Sequence, residues 1–93
     1  MPKTEFKYAC DGKLEFSKIE AVHLQTKKVF AEYGFIVNLR KAHYDEDDEL
    51  TSLKFETIAL FPEESIEKLD NDIRTRVVGM GLDCYMEDYQ DLL

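Results

Sequence analysis

The sequence predicts an α+β domain whose strands and helices follow one another as β–α–β–β–α–β. Two stretches carry apolar residues every three or four positions, and four others alternate with a period of two. Gly, Pro or a run of acids marks the junctions between them.

Thr4 to Cys10 alternates, with Phe6, Tyr8 and Cys10 on one side and Lys7 and Ala9 on the other, as a half-buried strand does. Asp11-Gly12 follows, a dipeptide that reaches positive φ cheaply in a tight turn. Lys13 to Phe16 alternates again and fits either a short return strand or an extended lead-in to a helix. Ser17-Lys18-Ile19-Glu20 has the form of a capping box, in which the Ser hydroxyl and the Glu carboxylate satisfy orphan N–H groups. Ile19, Val22, Thr26, Val29, Phe30 and Tyr33 then make the apolar stripe of a helix over 17–33, which Gly34 ends.

Phe35 to His43 reads as a strand, with Val37 and Leu39 aligned with Phe35. Ser52 to Phe61 alternates Leu53, Phe55, Thr57, Ala59 and Phe61 against Lys54, Glu56, Ile58 and Leu60. The two pair as a hairpin with Asp45-Glu46-Asp47-Asp48-Glu49 at its tip. Pro62 opens a second helix, where Glu63, Glu64 and Glu67 complement the positive end of the dipole. Ile66, Leu69, Ile73, Val77 and Met80 form its stripe, and Gly79 and Gly81 close it. Leu82 to Met86 alternates as a last strand, and Glu87 to Leu93 reads as an acidic tail, either frayed or lightly docked.

Two helices with one stripe each can cover one face of a four-stranded antiparallel sheet. This is the ferredoxin-like, split β-α-β (βαββαβ) arrangement, and an extra short strand after Asp11-Gly12 is compatible with it. Right-handed crossovers place the first and last strands side by side in the middle of such a sheet. The architecture hosts many unrelated functions and assigns none.

Ninety-three residues, 44% of them hydrophobic, make one small domain, 1–93, with 87–93 as its tail. Its net charge is −8, unevenly divided. Residues 1–43 carry eight Lys/Arg against five Asp/Glu, and residues 44–93 carry four against fifteen. The longest apolar run, Ile58-Ala59-Leu60-Phe61, is far too short to span a bilayer, and the polar N-terminus has no signal-peptide core. The expected setting is cytoplasmic, with Cys10 and Cys84 as reduced thiols in the core. A bond between those two requires a spatial neighbourhood that sequence cannot supply.

No pattern of catalysis stands out. The two cysteines with His23 and His43 are scattered singly, without the paired spacing of a zinc site or the orienting third group of a nucleophile. Asp45, Asp47 and Glu49 offer carboxylates to a cation but lack the glycine of a calcium loop. The RNA-binding aromatic signature is absent from 52–61, and a pI near 4.7 disfavours phosphate contacts. No catalytic residue, cofactor or metal ligand is therefore assigned.

The acids themselves are the feature to explain. Asp45, Glu46, Asp47, Asp48 and Glu49, with Glu63, Glu64, Glu67 and Asp70, predict a docking surface for a protein partner with a basic surface. Ile58, Leu60 and Tyr85, with Ile36, are expected on the open sheet face as an apolar patch completing the contact. The expected function is a non-enzymatic interaction protein, a monomer or weak homodimer, that modulates or inhibits its partner. Carboxylates spaced like phosphates would let it mimic nucleic-acid charge. In composition alone the chain resembles phage-encoded inhibitors of nucleic-acid-handling machines. The second reading is a ferredoxin-like small-ligand or divalent-metal-sensing module, dimeric through the open sheet face.

Overall fold

The computed structural model describes residues 2–11, 16–47, 49–79 and 83–92. Its elements are β1 (Lys3–Asp11), α1 (Phe16–Glu32), β2 (Val37–Tyr44), β3 (Leu50–Thr57), α2 (Ile66–Val78) and β4 (Asp83–Leu92). A single 3₁₀ turn, Glu63–Ser65, leads into α2. The strands form one antiparallel sheet in the order β2-β3-β1-β4, so the chain has the ferredoxin-like fold. Each helical crossover skips one strand: α1 carries the chain from β1 past β3, and α2 carries it from β3 past β1. The first and last strands are neighbours as expected, but β4 lies at an edge, and β3 and β1 occupy the middle.

Period-two alternation decides which residues are buried. Phe6, Tyr8 and Cys10 of β1 and Leu53 and Phe55 of β3 lie on the covered face, joined by Val37 of β2. Ile19, Val22, Val29 and Phe30 of α1 and Leu69, Ile73 and Val77 of α2 complete the core from above. Phe61 sits where the two helices meet the sheet, its ring centroid 5.7 Å from Phe6, 5.6 Å from Phe30 and 4.7 Å from Phe35. Thr26 interrupts the stripe of α1 without leaving an orphan, because its hydroxyl donates to the Val22 carbonyl at 2.8 Å.

The ends of the helices refine the expectations. Helix α1 has already begun at Phe16, so Ser17 lies inside it and not ahead of it as a cap. At its other end Phe35 N–H donates to Phe30 O at 2.9 Å and Gly34 N–H to Ala31 O at 3.0 Å. This is a Schellman stop, and Gly34 at φ 85° supplies the left-handed residue it needs. The stretch 87–92 is no frayed tail: it continues β4 and pairs with β1 as far as Leu92 opposite Lys3. Tyr89 stacks on Phe6 from there, with ring centroids 6.4 Å apart. The extra strand expected at 13–16 falls mostly on residues outside those described, as do Asp48, Met80, Gly81, Leu82 and Leu93; Phe16 is already helical. No helix among the described residues is long and apolar enough to cross a membrane.

Candidate functional site

The acidic segments occupy two separate places. The hairpin tip lies beyond Tyr44 and Leu50 at one end of β2 and β3. The α2 acids begin past the far end of β3, and that strand's eight residues separate the two regions by roughly 25 Å. Helix α2 and β4, in contrast, run together along the opposite edge of the sheet, and their acids converge. Burial and then the charges of Glu63, Asp91 and Asp88 push the Tyr89 phenol up from its usual value. Among the described residues no Lys or Arg pairs with Glu63, Glu64, Glu67, Asp88 or Asp91. Glu87 is paired, with Lys7 at 3.4 Å.

Several acids have internal tasks that sequence did not reveal. Asp45 Oδ1 accepts from the N–H groups of Asp47 at 2.9 Å and Glu49 at 3.0 Å, so this carboxylate shapes the hairpin turn. Glu46 and Asp47 are exposed beside it. Asp72 accepts from the Tyr33 hydroxyl at 2.8 Å, joining the helices, and burial followed by this contact pushes the phenol up to about 12. Asp70 accepts from the Met86 N–H at 3.0 Å and is held by Arg74 at 3.2 Å.

That last contact has a counterpart. On the other edge of the sheet, His23 Nε2 accepts from the Leu39 N–H at 3.2 Å. Each accepting side chain comes from the helix above an edge strand, and each donor immediately precedes an extra, bulged residue in that strand. The register skips Arg40 between Leu39 and Lys41, and it skips Glu87 between Met86 and Asp88. Bulges and occupied N–H groups both blunt an edge against a further strand. To accept, the His23 ring must be neutral, and burial followed by the charge of Lys27 lowers its pKa.

The open sheet face is not the apolar patch expected of it. Glu5 lies opposite Glu56, and Lys7 opposite Lys54, like charges that would repel across a ladder. Diagonal pairs resolve them, with Lys3 at 3.0 Å from Glu56, Arg40 at 3.8 Å from Glu56 and Lys54 at 4.0 Å from Glu5. The Glu56 contact raises the pKa of Lys3. Ile36, Ile58 and Leu60 are exposed, but they lie beyond the strand ends, since β2 starts at Val37 and β3 stops at Thr57. Ile36 and Ile58 flank a shallow cleft of about 330 Å³ that also involves Phe35 and Ala59. Tyr85 stands apart from them: it pairs with Ala9 towards the other end of β1, and Arg74 covers its ring at 5.9 Å.

One hydroxyl connects the cleft to the acidic edge. Thr4 Oγ1, fully buried, lies 2.9 Å from the Ala59 carbonyl and 2.9 Å from Asp91 Oδ1. Asp91 thus borders the segment that carries Ile58 and Leu60. Among the described residues no three His, Cys, Asp or Glu side chains converge to hold a metal ion.

No family model matches the sequence, and no curated protein does. Among solved structures it is similar to a de novo designed protein, Ferredog-Diesel, at 15% identity and a TM-score of 0.45, covering 94% of this chain and 83% of that one. It is also similar, at 10% identity and a TM-score of 0.44, to a dinuclear metal-binding peptidase of the M20 family from Bacillus subtilis. That match covers 98% of this chain and 25% of the peptidase. The fold assignment rests on strand order and register, and neither likeness adds to it.

Proposed function

We propose that the chain is a non-enzymatic protein-binding module that engages a basic partner along the edge built by α2 and β4. The observation that supports this reading is the run of carboxylates from the 3₁₀ turn, α2 and β4, Glu63, Glu64, Glu67, Asp88 and Asp91, which no Lys or Arg among the described residues pairs. Such a cluster raises a negative field that steers a positively charged surface towards it. Exposed Ile58 and Leu60, joined to Asp91 through Thr4, supply the apolar part of the contact. Strand addition is a poor route to this partner, because an N–H on each sheet edge is already occupied. Inhibition by imitating nucleic-acid charge is the form this takes when the partner handles nucleic acid. The module acts as a monomer in the cytoplasm, its open face covered with paired charge.

The test is a binding titration of the intact protein with a Lys/Arg-rich amphipathic peptide, followed by fluorescence anisotropy at low and high salt. Affinity is expected to fall steeply with salt, and the triple variant Glu63→Lys, Asp88→Lys, Asp91→Lys is expected to weaken it about tenfold or more. Glu46→Lys with Asp47→Lys, at the distant hairpin tip, is expected to leave it almost unchanged. Salt-independent binding, or equal losses in both variants, would sink the proposal.

A further inference from the structure

The two cysteines of the chain, far apart in sequence, are Cα partners across the β1–β4 ladder. Their pairing belongs to an unbroken stretch of register, Tyr8 with Met86, Ala9 with Tyr85, Cys10 with Cys84 and Asp11 with Asp83. The one register shift in this ladder lies before it, between Lys7 and Tyr8. Residues directly opposed in an antiparallel ladder share one face of the sheet, with Cα atoms about 4.5–5.5 Å apart. A disulfide accepts Cα separations of about 4.4–6.8 Å, so the backbone already holds these positions within bonding range.

We propose that Cys10 and Cys84 are a thiol pair that closes to a cross-strand disulfide by exchange with a small-molecule disulfide of the glutathione class. One thiolate attacks a sulfur of the small disulfide, forming a mixed disulfide and releasing one small thiol. The second protein thiolate attacks the protein sulfur of that intermediate, forming the Cys10–Cys84 bond and releasing the second small thiol. Two electrons pass to the small disulfide, and the two protons end on the released thiols. The pair is next to the last pairing of the ladder, Asp11 with Asp83, where strand ends open most readily. Closure joins the first strand to the last and constrains most of the unfolded chain as one loop. This modification site is independent of the acidic edge and stands or falls without it.

The experiment equilibrates the intact protein in buffers of graded reduced and oxidised glutathione, blocks remaining thiols by alkylation, and measures intact mass and peptide maps. The expected product is a monomer lighter by two hydrogens, with no alkylated thiol and with the peptides containing Cys10 and Cys84 crosslinked. Its Tm is expected to exceed that of the reduced protein by on the order of 10 °C. Cys10→Ala and Cys84→Ala should each abolish the mass loss, and because the primary readout uses the unaltered chain, a poorly folding variant leaves the test intact. The proposal is overturned if oxidation yields only glutathione adducts or linked dimers. It is equally overturned if both thiols stay alkylatable across the series, or if the bond forms only in denaturant.

Discussion

The β1-α1-β2 and β3-α2-β4 halves of the molecule solve one problem with different chemistry. In both, the helix lends a side chain to the N–H of an edge-strand residue that immediately precedes a bulge. The first half uses His23, a neutral acceptor beneath a helix that carries exposed Lys27 and Lys28. The second uses Asp70, a charged acceptor anchored by Arg74 within the acidic half. A hydrogen bond to a charged group is worth about 1.5–3 kcal/mol and a neutral one about 1 kcal/mol. The halves are therefore alike in geometry and unequal in strength, and only the first depends on a group that titrates near neutrality.

The strongest way to break this comparison is to remove what the halves share. Phe61 packs on Phe6, Phe30, Tyr33 and Phe35, so Phe61→Ala is expected to cost about 3–5 kcal/mol in urea denaturation. Circular dichroism and tyrosine fluorescence should still report one coincident transition, and two separated transitions would show halves that unfold independently. Next in size is Asp70→Ala, expected to cost about 2 kcal/mol and to speed hydrogen exchange at the Met86 amide. Asp70→Asn keeps an acceptor and should lose less; losses equal to those of Asp70→Ala would mean that the contact depends wholly on the charge. The smallest effect belongs to His23→Leu, about 1 kcal/mol at neutral pH, with faster exchange at the Leu39 amide.

His23 also fixes a pH dependence. Its pKa in the folded chain lies below the ordinary 6.5, so the unfolded chain takes up the proton first as pH falls. The stabilisation is therefore complete above 6.5 and is lost as pH drops through the lower, folded value. His23→Gln retains an acceptor without titrating, and its stability should change less than that of the unaltered chain between about pH 7 and 5. Identical slopes would remove His23 as the cause.

The bulges also explain what the sequence concealed. Helical stripes and the hairpin were legible because their periods run unbroken from Ile19 to Tyr33, from Ile66 to Val77 and from Leu53 to Thr57. In β4 the covered residues Met86 and Tyr89 are three apart across the bulged Glu87, so the strand reads as a tail. In β2 the same spacing separates Leu39 from Ala42. Alternation misled in the other direction at Ile58 and Leu60, where the period outlasts the strand. The joining of the α2 acids with those near the chain's end was legible only as a candidate, because it depends on which strand lies at the sheet edge. The tasks of Asp45, Asp70 and Asp72 are contacts to groups whose positions only the fold determines.

Thr4 shows how much can depend on one hydroxyl near a chain end. It accepts from the Phe61 N–H at 3.0 Å, and its single hydrogen serves Ala59 O or Asp91 Oδ1, each 2.9 Å away. Three stretches remote in sequence are thus pinned at one atom: the opening strand, the passage from β3 towards α2, and the close of β4. Removing that one hydroxyl would loosen the close of β4 and the approach to the second helix together.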